Sequence, residues 1–414
     1  MKENNNSSIV VYILRTLYTL VISSVIGVLL ISVFYCIPDN TIRENAMISV
    51  EQIEKENGTG IKEWPLIYSH AWSGKMDSGT DYKDLHDILS DYEMEPFHRA
   101  LNGAGSSRYW KGWYGFLRFL LIFLSYGQIR WFVGSILFIL AWMISIKIKD
   151  KLGLYTSFSF VIALILTNYI LVPFSVHMSI CIIIALSGML WVLYKYSRST
   201  PNIIIWEFFL MLGILTSYLD ELMVPLLTLG MPLLMILLCN LIEYGSAAIR
   251  KSMKTVIIAS LSWTIGYAVF WAMKWCINIA FLGTEASRQT EGRLQFWLEQ
   301  DAEEGGRLYT VAKNVMALLP THGENLITIF VCIIIIVLMM LVYLLKSHPN
   351  ITKDIRLSVV PVLIVSLYPF LWYVVMYKHS LVHATLFSYH DLMITIFGIL
   401  TVYFYIVRSL DRTD

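Results

Sequence analysis

The chain is dominated by apolar runs near the length needed to cross a hydrocarbon core of ~30 Å, recurring from end to end with only short polar connectors between most of them. Backbone amides and carbonyls have no water to bond inside a bilayer, so such runs have to form helices that satisfy themselves. The reading is an all-α integral membrane protein of about ten transmembrane helices. The spans are placed at Leu17–Ile37, Phe132–Ile146, Thr156–Pro173, Met178–Leu193, Ile203–Leu219, Leu222–Ile242, Val256–Leu282, Leu326–Leu345, Leu357–Tyr377 and Leu392–Val407. Only 15% of residues are charged while 57% are apolar, far from the balance of a soluble domain. The first run lacks a small-residue cleavage site and reads as a retained span.

Loop charge orients the bundle, because lysine and arginine collect on the cytoplasmic side of short connectors. With the N terminus inside, the inner connectors hold Lys147, Lys149 and Lys151, then Lys195 and Arg198, then Arg250, Lys251 and Lys254, then Lys346, Lys353 and Arg356, and finally Arg408 and Arg412. Both termini are therefore expected in the cytoplasm, in a multi-pass protein of the cell membrane whose active face is extracytoplasmic. The organisation expected is a tail and first span over 1–37, an extracellular loop domain over 38–130, and a polytopic membrane domain over 131–414 with outer loops 283–325 and 377–390.

One apolar run, Trp113–Tyr126, is excluded from the spans. Counting it would put the Lys147–Lys151 cluster outside, and Arg118 interrupts it. It is expected to be an interfacial helix over 113–126, with Trp110, Trp113 and Tyr114 as headgroup-level anchors. The five cysteines, Cys36, Cys181, Cys239, Cys276 and Cys332, show no metal-site spacing and read as small core residues. A net charge of +1 gives no field to recommend nucleic acid as a partner.

Candidate chemistry gathers in the outer connectors. In the first, MDSGTDY presents Asp77 and Asp81 in a turn context. Asp84, Asp87 and Asp91 follow at the spacing of one helical face, either as a solvated acidic surface or as a general base or cation ligand set. Asp39, just beyond the first span in CIPDN, is a further candidate base by position. Arg108, Lys111 and Arg118 lie among aromatics in SSRYWKGWYGFLRFLL, where arginine offers a planar fork for phosphate. Asp220 and Glu221 occupy the tip of a tight hairpin in TSYLDELMVPLLTLGMP. Lys274 lies about 12 Å inside its span, either snorkelling among Trp271 and Trp275 or facing a cavity that takes an anionic headgroup. Arg293, Lys378, His379 and His383 complete the substrate-binding candidates. The i, i+4 histidines lack a nearby carboxylate motif, so zinc is poorly supported and the metal is left unknown, with a divalent cation as the one conceivable cofactor. There is no phosphate-binding glycine loop, GxSxG elbow or HExxH.

The topology, many spans with a long first extracytoplasmic loop that carries surface helices, resembles the polytopic membrane glycosyltransferases of type C architecture (the GT-C fold). The segments RYWKGWYGFLR, GTDYKDL, TSYLDELMVPLLTLGMP, GYAVFWAMKW and HSLVHATLFSYH look like pieces of multi-span membrane proteins of Gram-positive bacteria. The resemblance implies transfer of a sugar from a polyprenyl-phosphate donor to an extracytoplasmic glycan, glycolipid or protein, among membrane lipids. It further implies that Asp77 or Asp81 activates the acceptor, while Arg118, Lys274, Arg293, Lys378, His379 or His383 stabilises the departing phosphate. The chain departs from the family in having only Asp39, not an acidic pair, directly after the first span. Two other readings stand beside this one: a transporter or flippase of lipid-linked saccharides, and a non-catalytic membrane scaffold.

Overall fold

The computed structural model describes residues 3–57, 61–63, 75–90, 95–103, 108–195, 205–283, 288, 291–292, 306–319 and 353–410. The described chain is helical apart from one short antiparallel pair, β1 (Ile61–Glu63) with β2 (Lys75–Asp77), in which Ile61 faces Asp77. Six stretches are long and apolar enough to cross a membrane, Val10–Tyr35, Tyr126–Leu152, Val176–Lys195, Leu226–Leu282, Asp354–Val375 and Ser388–Ser409, and two shorter apolar helices accompany them. The protein is thus an α-helical membrane protein. These six are counted among the described residues, against about ten spans read from hydropathy; the expected span Leu326–Leu345 lies outside the described residues.

In chain order, α1 (Glu3–Tyr35) leads into α2 (Asp39–Asn57). After the β pair come α3 (Gly79–Leu89), α4 (Pro96–Asn102), α5 (Gly112–Leu120) and the long α6 (Tyr126–Leu152). Next are α7 (Leu154–Leu166), α8 (Val176–Lys195), α9 (Ile205–Leu219), α10 (Leu226–Tyr244) and α11 (Ile249–Leu282). The remainder holds α12 (Gly306–Met316), α13 (Lys353–Ser366), α14 (Tyr368–Val375), α15 (Tyr377–Val382) and α16 (Leu392–Leu410). The stretch Leu226–Leu282 comprises α10 and α11, joined by a 3-10 turn at Gly245–Ala248.

Side chains on α1 and α6 such as Leu29, Trp131, Phe138 and Trp142 face outward, where a bilayer solvates them. The core runs between α8, α10, α11 and α16. Helices α9 and α11 cross almost in backbone contact, because neither carries a side chain where they meet. A Cβ on Gly213 would lie 2.3 Å from the Trp263 carbonyl oxygen, and one on Gly266 would lie 2.3 Å from that of Leu210. Gly266→Val is therefore expected to force the pair apart and cost about 2 kcal/mol or more in detergent unfolding. Gly292→Ala, where a Cβ meets nothing within 4 Å, is the control and changes stability by less than about 0.5 kcal/mol.

Three expectations need correction. The run Trp113–Tyr126 is not one helix: α5 stops at Leu120, turns follow, and Ser125 opens α6 with a reciprocal cap in which its backbone N–H donates to Gln128 Oε1 at 2.8 Å. The aromatics expected as surface anchors are turned inward. Trp110, Trp113 and Tyr114 are fully buried, because each has a polar partner inside, and it is Phe116, Phe119 and Phe123 that face out. The expected span Thr156–Pro173 breaks at Leu166: Asn168 adopts φ 51° and a 3-10 turn, Tyr169–Phe174, returns the chain into α8. At 13 residues α7 rises about 20 Å, short of a full crossing. Of the cysteines, Cys181 and Cys239 are buried as expected, whereas Cys36 and Cys276 are exposed and Cys332 lies outside the described residues.

Candidate functional site

The acidic helix α3 organises the site. Asp81, Asp84 and Asp87 stand three residues apart on one face, and that face is turned inward: the three carboxylates are 0%, 0% and 7% exposed. The solvated reading is thereby overturned for Asp84 and Asp87; Asp91 lies outside the described residues. Each carboxylate meets different partners: the start of α5 serves Asp84 and Asp87, and the connector into α8 serves Asp81.

Asp84 accepts from Lys111 Nζ at 2.9 Å and from the Trp113 indole N–H at 3.3 Å. Lys111 also stands 3.4 Å from Glu221 at the α9–α10 hairpin, so one ammonium bridges two carboxylates in the interior. Burial opposes its charge, but Asp84 and Glu221 outweigh it and hold the ammonium above its ordinary range. Burial likewise acts against the Glu221 carboxylate, yet Lys111 keeps it below the usual range, while Asp84 is left raised, chiefly by burial.

Asp87 accepts from the Tyr114 hydroxyl at 2.7 Å and lies 3.9 Å from Arg99. Arg99 in turn pairs with Asp39, whose other oxygen accepts from Arg118 Nη2 at 2.7 Å. Arg118 also donates to the carbonyls of Phe34 and Ile37, fastening the exit of α1. Burial pushes the Asp39 carboxyl upward, but the two guanidiniums overcome it and leave it below the ordinary range. This is the geometry of a structural clasp. Asp39 and Arg118, singled out for base and phosphate roles, meet each other in it, and the buried Arg118 Nη1 has no hydrogen-bond partner among the described residues.

Asp81 has the third environment. It accepts the backbone N–H of His177 at 3.2 Å and the Ser175 hydroxyl at 3.4 Å. Burial raises its carboxyl to about 7, against the opposing charge of His177 and a hydrogen bond from Tyr126. His177 is 1% exposed and stacks on Trp113, with centroids 5.8 Å apart and an interplanar angle of 3°. Neither of its ring nitrogens has a hydrogen-bond partner among the described residues. Asp220 lies close enough to His177 to feel its charge and accepts from the Met223 N–H at 3.1 Å; burial raises its carboxyl to about 6. Asp391, at the start of α16, is within electrostatic reach of Asp220, and neither of its buried oxygens has a hydrogen-bond partner among the described residues.

Two bulky residues bordering this cluster hold left-handed backbone: Lys111 at φ 53° and Leu222 at φ 70°. Such conformations cost on the order of 1–3 kcal/mol each and persist where the surroundings over-determine them. Here they swing the Lys111 ammonium and the Asp220–Glu221 tip towards each other.

The structure therefore brings together Asp81, Lys111 and Asp220 of the expected set. Half-buried Arg108 borders them, near enough to Glu221 to lower its carboxyl. Lys274 does not snorkel: it is fully buried, donates to the Leu101 carbonyl at 2.9 Å and lies over the Trp110 ring. Lys378, His379 and His383 form a separate group packed on α12, where Asn314 donates to the Ser380 carbonyl at 3.1 Å and His383 stacks on Phe387. Burial, helped by His383, pushes His379 down to about 3, so it is neutral near pH 7. Asp77 ends β2 with its side chain outside the described set, and Arg293 lies outside the described residues. No three of His, Cys, Asp or Glu converge to hold a metal ion among the described residues.

Sequence reasoning passed over His177 and Asp391. The only signal for His177 was its place in the short connector after Pro173, and Asp391 was overshadowed by the histidines before it. No family model, no curated protein and no solved structure matches the chain.

Proposed function

We propose that the protein is a membrane glycosyltransferase of the type C kind, taking a sugar from a polyprenyl-phosphate donor to an extracytoplasmic acceptor. In this reading the bundle has about ten spans with both termini in the cytoplasm. The observation that carries it is Asp81: a buried carboxylate raised to about 7 beside an imidazole with two unbonded nitrogens is poised to take a proton near neutral pH. Asp81 accepts the proton of the acceptor hydroxyl as that oxygen bonds the anomeric carbon. The carbon–oxygen bond to the donor phosphate breaks, and the phosphate leaves with the electron pair. Arg108 and the Lys111 ammonium offset the charge that develops there, and His177 orients the acceptor.

A second reading, a carrier or flippase of lipid-linked saccharides, draws on Asp220 and Asp391, a buried carboxylate pair of the sort that relays protons between spans. Full-length protein in proteoliposomes, given a panel of undecaprenyl-phosphate hexoses and pentoses with soluble sugar acceptors, separates the two. Transfer is expected with one donor, and Asp81→Asn should reduce it about 10²–10⁴-fold. Undiminished transfer in that variant removes Asp81 as the base; movement of intact donor between leaflets without transfer favours the carrier.

A further inference from the structure

At the far end of the bundle from the carboxylate cluster lies a cavity of about 340 Å³, where α6 and α16 end, α7 begins and the last turn of α10 closes one side. Lys149, Lys151 and Arg408 line it, opposed by one carboxylate, Asp150. Lys151 donates to the Leu193 carbonyl. Lys149 and Arg408 pair with no carboxylate among the described residues, although Asp150 shares the cavity with them. Gly153, at φ 96°, turns the chain between α6 and α7 in a single residue and brings no side-chain cap to α7. The first amides of α7, those of Leu154, Tyr155 and Thr156, consequently lack an intrahelical acceptor, and the first helical bond is from Ser157 N–H to the Gly153 carbonyl. Tyr155 stacked on Phe404, with Ile242, supplies an apolar wall beside this polar floor.

We propose that this cavity binds a phosphate-bearing anion, held by Lys149, Arg408 and the opening turn of α7. Several cations around uncapped amides suit a compact multiply oxygenated anion, and the volume accommodates a phosphodiester headgroup. A basic pocket between spans, with an apolar wall at its mouth, has the chemistry of an anionic-lipid headgroup site, but the phosphate recognition is shared with a soluble anion. The site is independent of the glycosyltransferase reading, since none of its residues belongs to the Asp81 cluster.

The test uses the purified full chain with phosphatidylglycerol, phosphatidylcholine or inorganic phosphate, following lipid retention by native mass spectrometry and the unfolding temperature. Phosphatidylglycerol is expected to be retained over phosphatidylcholine. Lys149→Gln with Arg408→Gln should weaken that retention on the order of thirtyfold, from two lost charges. Asp150→Asn should tighten it, an opposite change that misfolding does not produce. Protection by inorganic phosphate with the same dependence on the variants assigns the site to a soluble anion; protection by the lipid alone assigns it to a headgroup. Equal retention by the wild type and the double variant, or no protection by either probe, overturns the site.

Discussion

A Lys111→Met protein is expected to lose about 3–5 kcal/mol of unfolding free energy, the penalty for leaving buried charge without its counter-ion. The ammonium lies 2.9 Å from Asp84 and 3.4 Å from Glu221, with the three side chains 1%, 0% and 10% exposed. Methionine fills a similar volume, so the loss is electrostatic more than steric. Two carboxylates would then face each other in the interior, and the variant can relieve this only by protonating one of them. The deficit should accordingly shrink in acid, and Asp84→Asn added to Lys111→Met should recover part of it. Thermal unfolding followed by tryptophan fluorescence across pH 4–8 measures all three proteins. A loss below about 1 kcal/mol would mean that water, not protein, surrounds the triad.

The second large effect belongs to Asp81 and has the opposite relation to pH. Its ordinary carboxyl value is 3.8 and the folded protein raises it to about 7, so the native state keeps a proton that the unfolded chain has already released. The stability from that proton is present in full below about pH 4 and is lost as pH rises through about 7, an upper estimate of about 4 kcal/mol. Asp220, raised to about 6, adds a smaller loss of the same sign over a narrower window. Asp81→Asn keeps the uncharged shape at every pH. Its melting temperature should therefore decline less than that of the wild type between pH 4 and 8, and identical slopes would remove the buried proton from Asp81. In the transfer reaction proposed above, the ionisation that destabilises the fold is the one that arms the base, so the rate should climb through the range in which stability falls.

Hydropathy located the described spans because backbone hydrogen bonding in lipid leaves helices as the way to cross. Where it failed, the deciding contacts were distant in sequence. Trp113 and Tyr114 have the composition of interfacial anchors, and only Asp84 and Asp87, on another helix, make the interior the better place for their polar tips. The acidic face of α3 looks solvated for the same reason: Lys111 is 27 residues away from Asp84, and His177 is 96 residues away from Asp81. Helical periodicity shows that three aspartates share a face but not which way that face is turned. The break after Leu120 was closer to legible, since Ser125 and Gln128 carry the pattern of a helix start.

Helix α11 carries 34 residues and is about 50 Å long, well beyond the hydrocarbon thickness, and the connector leading to Lys111 hangs from its C-terminal part. The indole N–H groups of Trp271 and Trp275 both donate to the Arg108 carbonyl, Lys274 holds that of Leu101, and the Phe270 carbonyl accepts from Trp110. A helix of this length answers a thinner bilayer by leaning over, and whatever is hung on it leans too. Lipid chain length is therefore expected to act on the lysine that bridges Asp84 and Glu221 from a distance, through the lean of the helix that carries its connector.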